Sequence, residues 1–211
     1  MKKTMLLLLL LASPAAAEDR VTIGMRVERS WLTDSRRGDK DHFLGSLWGL
    51  DSSQSYLPSP FLEVRITGPV GMGLAYGQAR VRTLDWADSS HTVAAGDGDL
   101  QLRGGEVYAF ARARNRSRVT PYARVGYARY WSDFVELPGW PGHFETGTTR
   151  GWTAAAGVRV ALWKGCGLDV LYEHRRLGPV AAVAMGSNGV RTAGAFPVRS
   201  NALSLGIVYS R

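Results

Sequence analysis

Residues 120–131 read TPYARVGYARYW. Ala123, Val125 and Tyr127 alternate with Tyr122, Arg124, Gly126 and Ala128, which is the period-2 pattern of a β-strand. One parity is apolar, and the other mixes an arginine with aromatic and very small residues. The environment of that polar parity decides the fold. A soluble protein turns Arg124 to water, whereas a membrane barrel turns its apolar parity out to lipid and its polar parity inward.

The same period marks eight segments. VTIGMRVE sets Val21, Ile23, Met25 and Val27 against Thr22, Gly24, Arg26 and Glu28. FLEVRIT sets Leu62, Val64 and Ile66 against Glu63, Arg65 and Thr67. The third segment runs from about Met72 to Leu84, the fourth from about Leu100 to Ala113, and the quoted stretch is the fifth. In the sixth, TAAAGVRVAL, Ala154, Ala156, Val158, Val160 and Leu162 oppose Ala155, Gly157 and Arg159. The seventh sets Leu168, Val170 and Tyr172 against Asp169, Leu171, Glu173 and Arg175. The eighth sets Leu203, Leu205, Ile207 and Tyr209 against Ser204, Gly206, Val208 and Ser210. In the third, Met72, Leu74 and Tyr76 share parity with Arg80 and Arg82, so either a bulge shifts the register or the aromatic side faces inward. In the fourth, Glu106, Tyr108, Phe110 and Arg112 oppose Val107, Ala109 and Ala111. The charged parity is expected to face inward in both.

The connections alternate between short and long. GPVG (68–71), RNRS (114–117) and WKGCG (163–167) are tight turns of the kind Gly, Pro and Asn permit. The stretches 31–60, 85–99, 132–150 and 178–199 are long. All short turns therefore fall at one end and all long loops at the other, the layout of an outer-membrane barrel with short periplasmic turns. Aromatic residues gather near strand ends: Trp31, Trp86, Tyr130, Trp131 and Trp152 on the long-loop side, Trp163 and Tyr209 on the other. That distribution fits girdles at two membrane interfaces.

The first 17 residues read as a secretory signal peptide, with Lys2 and Lys3, an apolar run from Met5 to Ala12, and Ala15-Ala16-Ala17 as the cleavage site. Residues 18–211 are then the barrel domain. Loss of the two lysines lowers the formal charge from +8 to +6, an excess that suits an anionic surface. Nucleic acid is not an expected partner, because export removes the chain from it and the arginines are spread over many strands. The single Cys166 excludes an internal disulfide and argues against a cysteine-type metal site. No metal or other cofactor is expected.

A soluble barrel of lipocalin type alternates too, with its apolar face inward around a ligand. The polar parity here holds Gly24, Gly126, Gly157, Gly206, Ala128 and Ala155, mixed with Arg26, Glu28, Glu63, Arg65, Arg124, Arg159, Asp169, Glu173 and Arg175. A solvated surface has no reason to be so rich in glycine. An eight-stranded lumen does, because it is just wide enough for side chains to fill. Acids and bases there are near balance and can pair, as buried charge requires. Such a network is expected to plug the barrel and stabilise it, with a small gated conductance as the alternative.

TPYARVGYARYW, GWTAAAGVRVAL, LDVLYEHRRLG and SNALSLGIVYSR resemble successive strands of the small eight-stranded outer-membrane β-barrel superfamily, which includes the OmpA membrane domain, the opacity-type adhesins and the OmpX-like barrels. The resemblance covers the last four strands directly and the first four by pattern. It implies an all-β, up-and-down antiparallel transmembrane barrel, inserted by the barrel assembly machinery, monomeric, and surrounded by outer-membrane lipid and lipopolysaccharide. Such barrels usually end on an aromatic residue, whereas Ser210 and Arg211 follow Tyr209 here.

Some barrels of this size act on lipid A. The deacylase type resembles a His-x-Ser-Asn arrangement, and Ser200-Asn201 supplies the last two positions, but Val198 stands where the histidine belongs. His174 on the neighbouring segment has outward parity while Ser200 has inward parity, and without a base the hydroxyl is not activated. Asp88-Ser89-Ser90-His91 offers an acid, hydroxyls and an imidazole in a loop, where Ser and Asp are common for turn-forming reasons. His42 and His143 stand alone, without metal-ligand spacing. Arg129 shares the outward parity of Ala123, Val125 and Tyr127, and with Arg150 or Arg176 it is a candidate contact for lipopolysaccharide phosphates. Snorkelling to water is the alternative. Around Gly186-Ser187-Asn188-Gly189, a hairpin signal, strands seven and eight are expected to extend beyond the membrane. The function expected from the sequence is a non-enzymatic outer-membrane barrel with a structural or adhesin-like surface role. A lipid A-modifying enzyme and a soluble ligand-binding barrel are the alternatives.

Overall fold

Antiparallel strands satisfy the alternation by closing on themselves, so that every backbone group inside the hydrocarbon finds a partner. A computed structural model describes residues 20–32, 57–82, 85–86, 93–94, 98–113, 117–136, 143–185 and 191–211. The strands are β1 (Val21–Leu32), β2 (Leu57–Thr67), β3 (Val70–Arg82), β4 (Asp85–Trp86), β5 (Val93–Ala94), β6 (Gly98–Arg112), β7 (Val119–Glu136), β8 (His143–Thr146), β9 (Thr148–Trp163), β10 (Cys166–Met185) and β11 (Arg191–Ser210). Eight long strands pair in the order β1-β2-β3-β6-β7-β9-β10-β11, and β1 pairs β11 to close the barrel. Backbone bonds from the Arg20 and Val21 amides to the Arg211 carbonyl, at 2.9 and 3.0 Å, seal the seam at the short-turn end. The expected signal peptide, His42 and the Asp88–His91 cluster lie outside the described residues.

The turns obey local chemistry. Lys164 and Gly165 connect β9 to β10 with φ of 41° and 82°, the paired positive values of a two-residue turn whose twist matches that of the flanking strands. Gly68, with φ 45°, turns β2 into β3. At the other end the long connections hold more strand than expected. β7 continues to Glu136, β8 pairs the far part of β10, and β10 and β11 stay paired as far as Met185 and Arg191, with a register shift between Leu177 and Val180. Each of these two strands has 20 residues, about twice the 9–11 that span a bilayer, so the hairpin projects beyond it.

The apolar parity faces out. Val125 is 55% exposed and Ile207 67%, while Arg124 is buried. The fourth segment lies as expected, with Glu106, Tyr108 and Phe110 buried and Val107 exposed. The third does not. Met72, Leu74 and Tyr76 are exposed on the outside, and Gly71, Gly73 and Gly77 face the lumen. No bulge intervenes, because β3 stays in register with β6 from Val70 to Arg82. The reason is volume. The Phe110 and Tyr108 rings occupy the places that side chains at 71 and 73 would fill, and Tyr130 lies over Gly77. Tyr130 is accordingly buried in the lumen, and only Trp131 and Trp152 of the expected outer girdle are seen facing outward. Trp163 and Tyr209 face outward at the short-turn end. The side chains of Trp31, Trp86, Arg80 and Arg82 lie outside the described part.

Gly73→Val should lower the stability of the refolded barrel by about 1–3 kcal/mol, the usual cost of overpacking. In a Tyr108→Ala background the same substitution should cost less. Urea unfolding in lipid vesicles measures both.

Candidate functional site

Two sets of charged side chains mark the wall, one on each face. On the inner face, Glu63 (β2) and Asp169 (β10) anchor a cluster towards the short-turn end. Glu63 accepts hydrogen bonds from Arg112, from Arg159 at 3.0 Å and from the Tyr108 hydroxyl at 3.1 Å, and Arg26 stands 3.9 Å away. Asp169, fully buried, accepts from Arg26 Nε at 2.6 Å, Arg159 Nε at 3.1 Å and the Tyr122 hydroxyl at 3.0 Å. A second cluster lies towards the long-loop end. Arg124 pairs with Glu106 at 3.2 Å and with Glu173, and Arg175 joins Glu173 to Glu28. Thr153 donates to Glu106.

Ring faces line the same space. The Arg26 guanidinium lies 3.7 Å over Phe61, and Arg124 lies 4.4 Å over Tyr108. Such stacking supplies favourable electrostatics where water is excluded. Arg65 is partly buried at the mouth. Glu106, Arg112, Tyr108 and Tyr122 join the network beyond the residues singled out from sequence. All four carry the inward parity that strand alternation assigns them, but their membership of the ion-pair network depends on which strands become neighbours.

On the outer face, Arg129 stands directly opposite Arg150, and Arg176 stands opposite Arg199 and, on its other side, Trp152. Arg129, Arg150 and Arg176 are exposed. Among the described residues neither Arg150 nor Arg176 has a carboxylate partner. Arg129 lies 5.7 Å over the Trp131 ring, and Tyr127 meets Trp152 edge-on at 5.3 Å. Arg103, opposite Trp131, and Arg29, opposite Leu203, carry the same outward parity. With Arg199 they extend the three arginines picked from sequence into a belt that crosses β6, β7, β9, β10, β11 and β1. Each shares parity with apolar residues of its own strand, so alternation could have found these as well.

The hydrolase-like residues do not converge. His174 is exposed on the outer face and bonds Asn201 at 2.8 Å, while Ser200 is buried on the inner face. The wall separates imidazole from hydroxyl. Among the described residues no group of three or more His, Cys, Asp or Glu is placed to hold a metal.

The family model for the outer membrane protein beta-barrel domain matches residues 4–210. The chain belongs to that family and resides in the outer membrane. A sequence search of curated proteins returns no match. Among solved structures, OprG from Pseudomonas aeruginosa superposes with a TM-score of 0.73 at 12% identity, covering 92% of this chain and 97% of the other. Neisserial surface protein A gives 0.55 at 18% identity, covering 90% and 96%. Ail, the attachment invasion locus protein of Yersinia pestis, gives 0.51 at 14%, covering 92% and 97%. These likenesses are of fold.

Arg124→Met leaves Glu106 without its arginine and Glu173 with only one. The expected loss is about 3–5 kcal/mol, as for breaking a buried pair from one side. Glu106→Gln in the same chain should recover part of it. Urea unfolding in vesicles reads the loss, and heat-modifiable gel migration shows whether each variant still closes.

Proposed function

We propose that this outer-membrane barrel is a non-enzymatic structural and surface-interacting protein that grips lipopolysaccharide through its outward arginine belt. Its long connections would face the exterior, and the barrel acts as a monomer inserted by the assembly machinery.

The observation that carries the reading is the register pair Arg129–Arg150 on the lipid-facing side. Like charges directly opposite each other on a sheet repel, and charge on a lipid face is tolerable only near an interface. An anion between the two guanidinium groups turns that repulsion into attraction, and the planar fork of arginine fits phosphate oxygens two at a time. Arg176, exposed on β10, adds a further outward guanidinium on the same face. Trp131 and Trp152, exposed beside them, are the amphipathic anchors expected at headgroup level. The phosphates of lipid A lie at that level in the outer leaflet. The opposite placement of His174 and Ser200 supports a binding role over hydrolysis.

Removal of one member of a repelling pair gives opposite results in two membranes. In a phospholipid bilayer without lipopolysaccharide, Arg129→Ala should leave the barrel as stable or raise its stability by about 0.2–1 kcal/mol. In a bilayer containing lipopolysaccharide the same variant should be destabilised, and less lipopolysaccharide should co-purify. An identical response in both membranes would indicate snorkelling alone. Mass spectrometry of lipid A from cells with and without the protein should show the same acyl chains, and a gained or lost chain would overturn the non-enzymatic reading.

A further inference from the structure

The short-turn mouth of the barrel opens into a cavity of about 830 Å³ lined by Arg65, Arg112, Arg118, Arg159 and Lys164. No aspartate or glutamate is among its described lining residues. The volume falls in the range of about 300–1,000 Å³ typical of small-molecule sites. From this geometry we infer that the mouth is a binding site for periplasmic anions carrying two or more phosphate or carboxylate groups.

The charge arrangement points to such a ligand. The two carboxylates beneath the cavity, Glu63 and Asp169, are already engaged by Arg26, Arg112 and Arg159. With Arg118 and Lys164 at the rim and Arg65 left aside, five cations face two carboxylates. Towards the other end the balance reverses, since among the described residues Glu28, Glu106 and Glu173 pair with Arg124 and Arg175 alone. The lumen is polarised along its axis, with its positive excess at the periplasmic mouth. Low-dielectric walls focus such a field and concentrate counter-ions at the opening.

Arg112 is poised for a further ligand. Its side chain is 10% exposed and lines the cavity, and its Nε has no hydrogen-bond partner among the described residues although one Nη reaches Glu63. Arg112 and Arg159 form the floor, and Arg118 and Lys164, both exposed, form the rim. A single-charged ion would satisfy one level only. Two anionic groups on one molecule reach both. The buried network above closes the lumen, so the site holds its ligand and passes nothing through.

Soluble phosphorylated solutes and the headgroups of anionic phospholipids in the inner leaflet share this chemistry. The test uses the whole barrel in nanodiscs of phosphatidylcholine at physiological ionic strength, titrated calorimetrically with inorganic pyrophosphate. Saturable binding is expected, weakened at least tenfold in Arg118→Ser/Lys164→Ser and in Arg112→Gln, and unchanged in Val125→Ala on the lipid-facing wall. Cys166 supplies a second readout, because it is exposed and lines the cavity: pyrophosphate should slow its modification by a maleimide. Gel migration confirms that each variant is folded. No saturable binding by the unaltered barrel, or equal affinity in all the mouth variants, overturns the site. In discs containing phosphatidylglycerol, unchanged pyrophosphate affinity assigns the site to soluble anions, and competitive loss assigns it to headgroups; either result upholds the anion site.

Discussion

Asp169 and Glu173 are buried side chains four residues apart on β10; Asp169 is held by Arg26 of β1 and Arg159 of β9, and Glu173 by Arg124 of β7 and by Arg175 of its own strand. A carboxylate inside a lipid-enclosed barrel has no solvent to fall back on, so its desolvation must be offset by partners fixed in place. That requirement propagates outward. It demands arginines on β1, β7 and β9 at matching heights, which locks strand register. It also demands that the paired polar residues of the lumen take the same parity, because a one-residue slip would turn their guanidinium groups into lipid. The alternation in the sequence is the record of that demand.

Charge alone does not fill the lumen. Long arginines and aromatic rings from one strand need empty wall on the next, and the glycines supply it. Phe61 lies against Gly24, Tyr108 against Gly73 and Tyr122 against Gly157. The inner surface is thus a mosaic of large and small residues in which each ring also carries a guanidinium on its face. Tyrosine hydroxyls finish the arrangement by donating to Glu63 and Asp169. Packing and ion pairing are the same set of contacts, which is why a substitution at a glycine is expected to disturb the charges.

The architecture was legible because one period governs everything from Val21 to Ser210. Inside-out polarity, the short-turn end and the projecting last hairpin all follow from parity, glycine content and turn residues. The failure at β3 is instructive. Arg80 and Arg82 suggested that the even parity was polar, yet the lumen face of that strand is Gly71, Gly73, Ala75 and Gly77, which carries no charge at all. A strand can face a crowded lumen by being small rather than by being polar, and charge patterning is blind to that. Tyr130 was misplaced for a related reason: an aromatic residue near a strand end fits an interface girdle and a lumen plug equally well until the facing glycine is known. The pairing partners of individual charges were not legible, since they depend on which strands become neighbours across the closed circle.

The outer face and the mouth follow from what the lumen leaves over. Inside the span, arginine is matched by acid, and the matching is nearly complete at mid-barrel. Unmatched guanidinium groups gather in two places: outside the wall at the long-loop end, where Arg129 faces Arg150, and inside it at the short-turn end, where Arg118 and Lys164 stand above Arg112 and Arg159. Folding alone does not require either excess. The barrel closes through its internal pairs, and repulsion at the ends only subtracts from that stability. On the readings proposed above, the counter-charge for these two positions comes from the surroundings, a phosphate-bearing leaflet on one side and an aqueous compartment containing anions on the other.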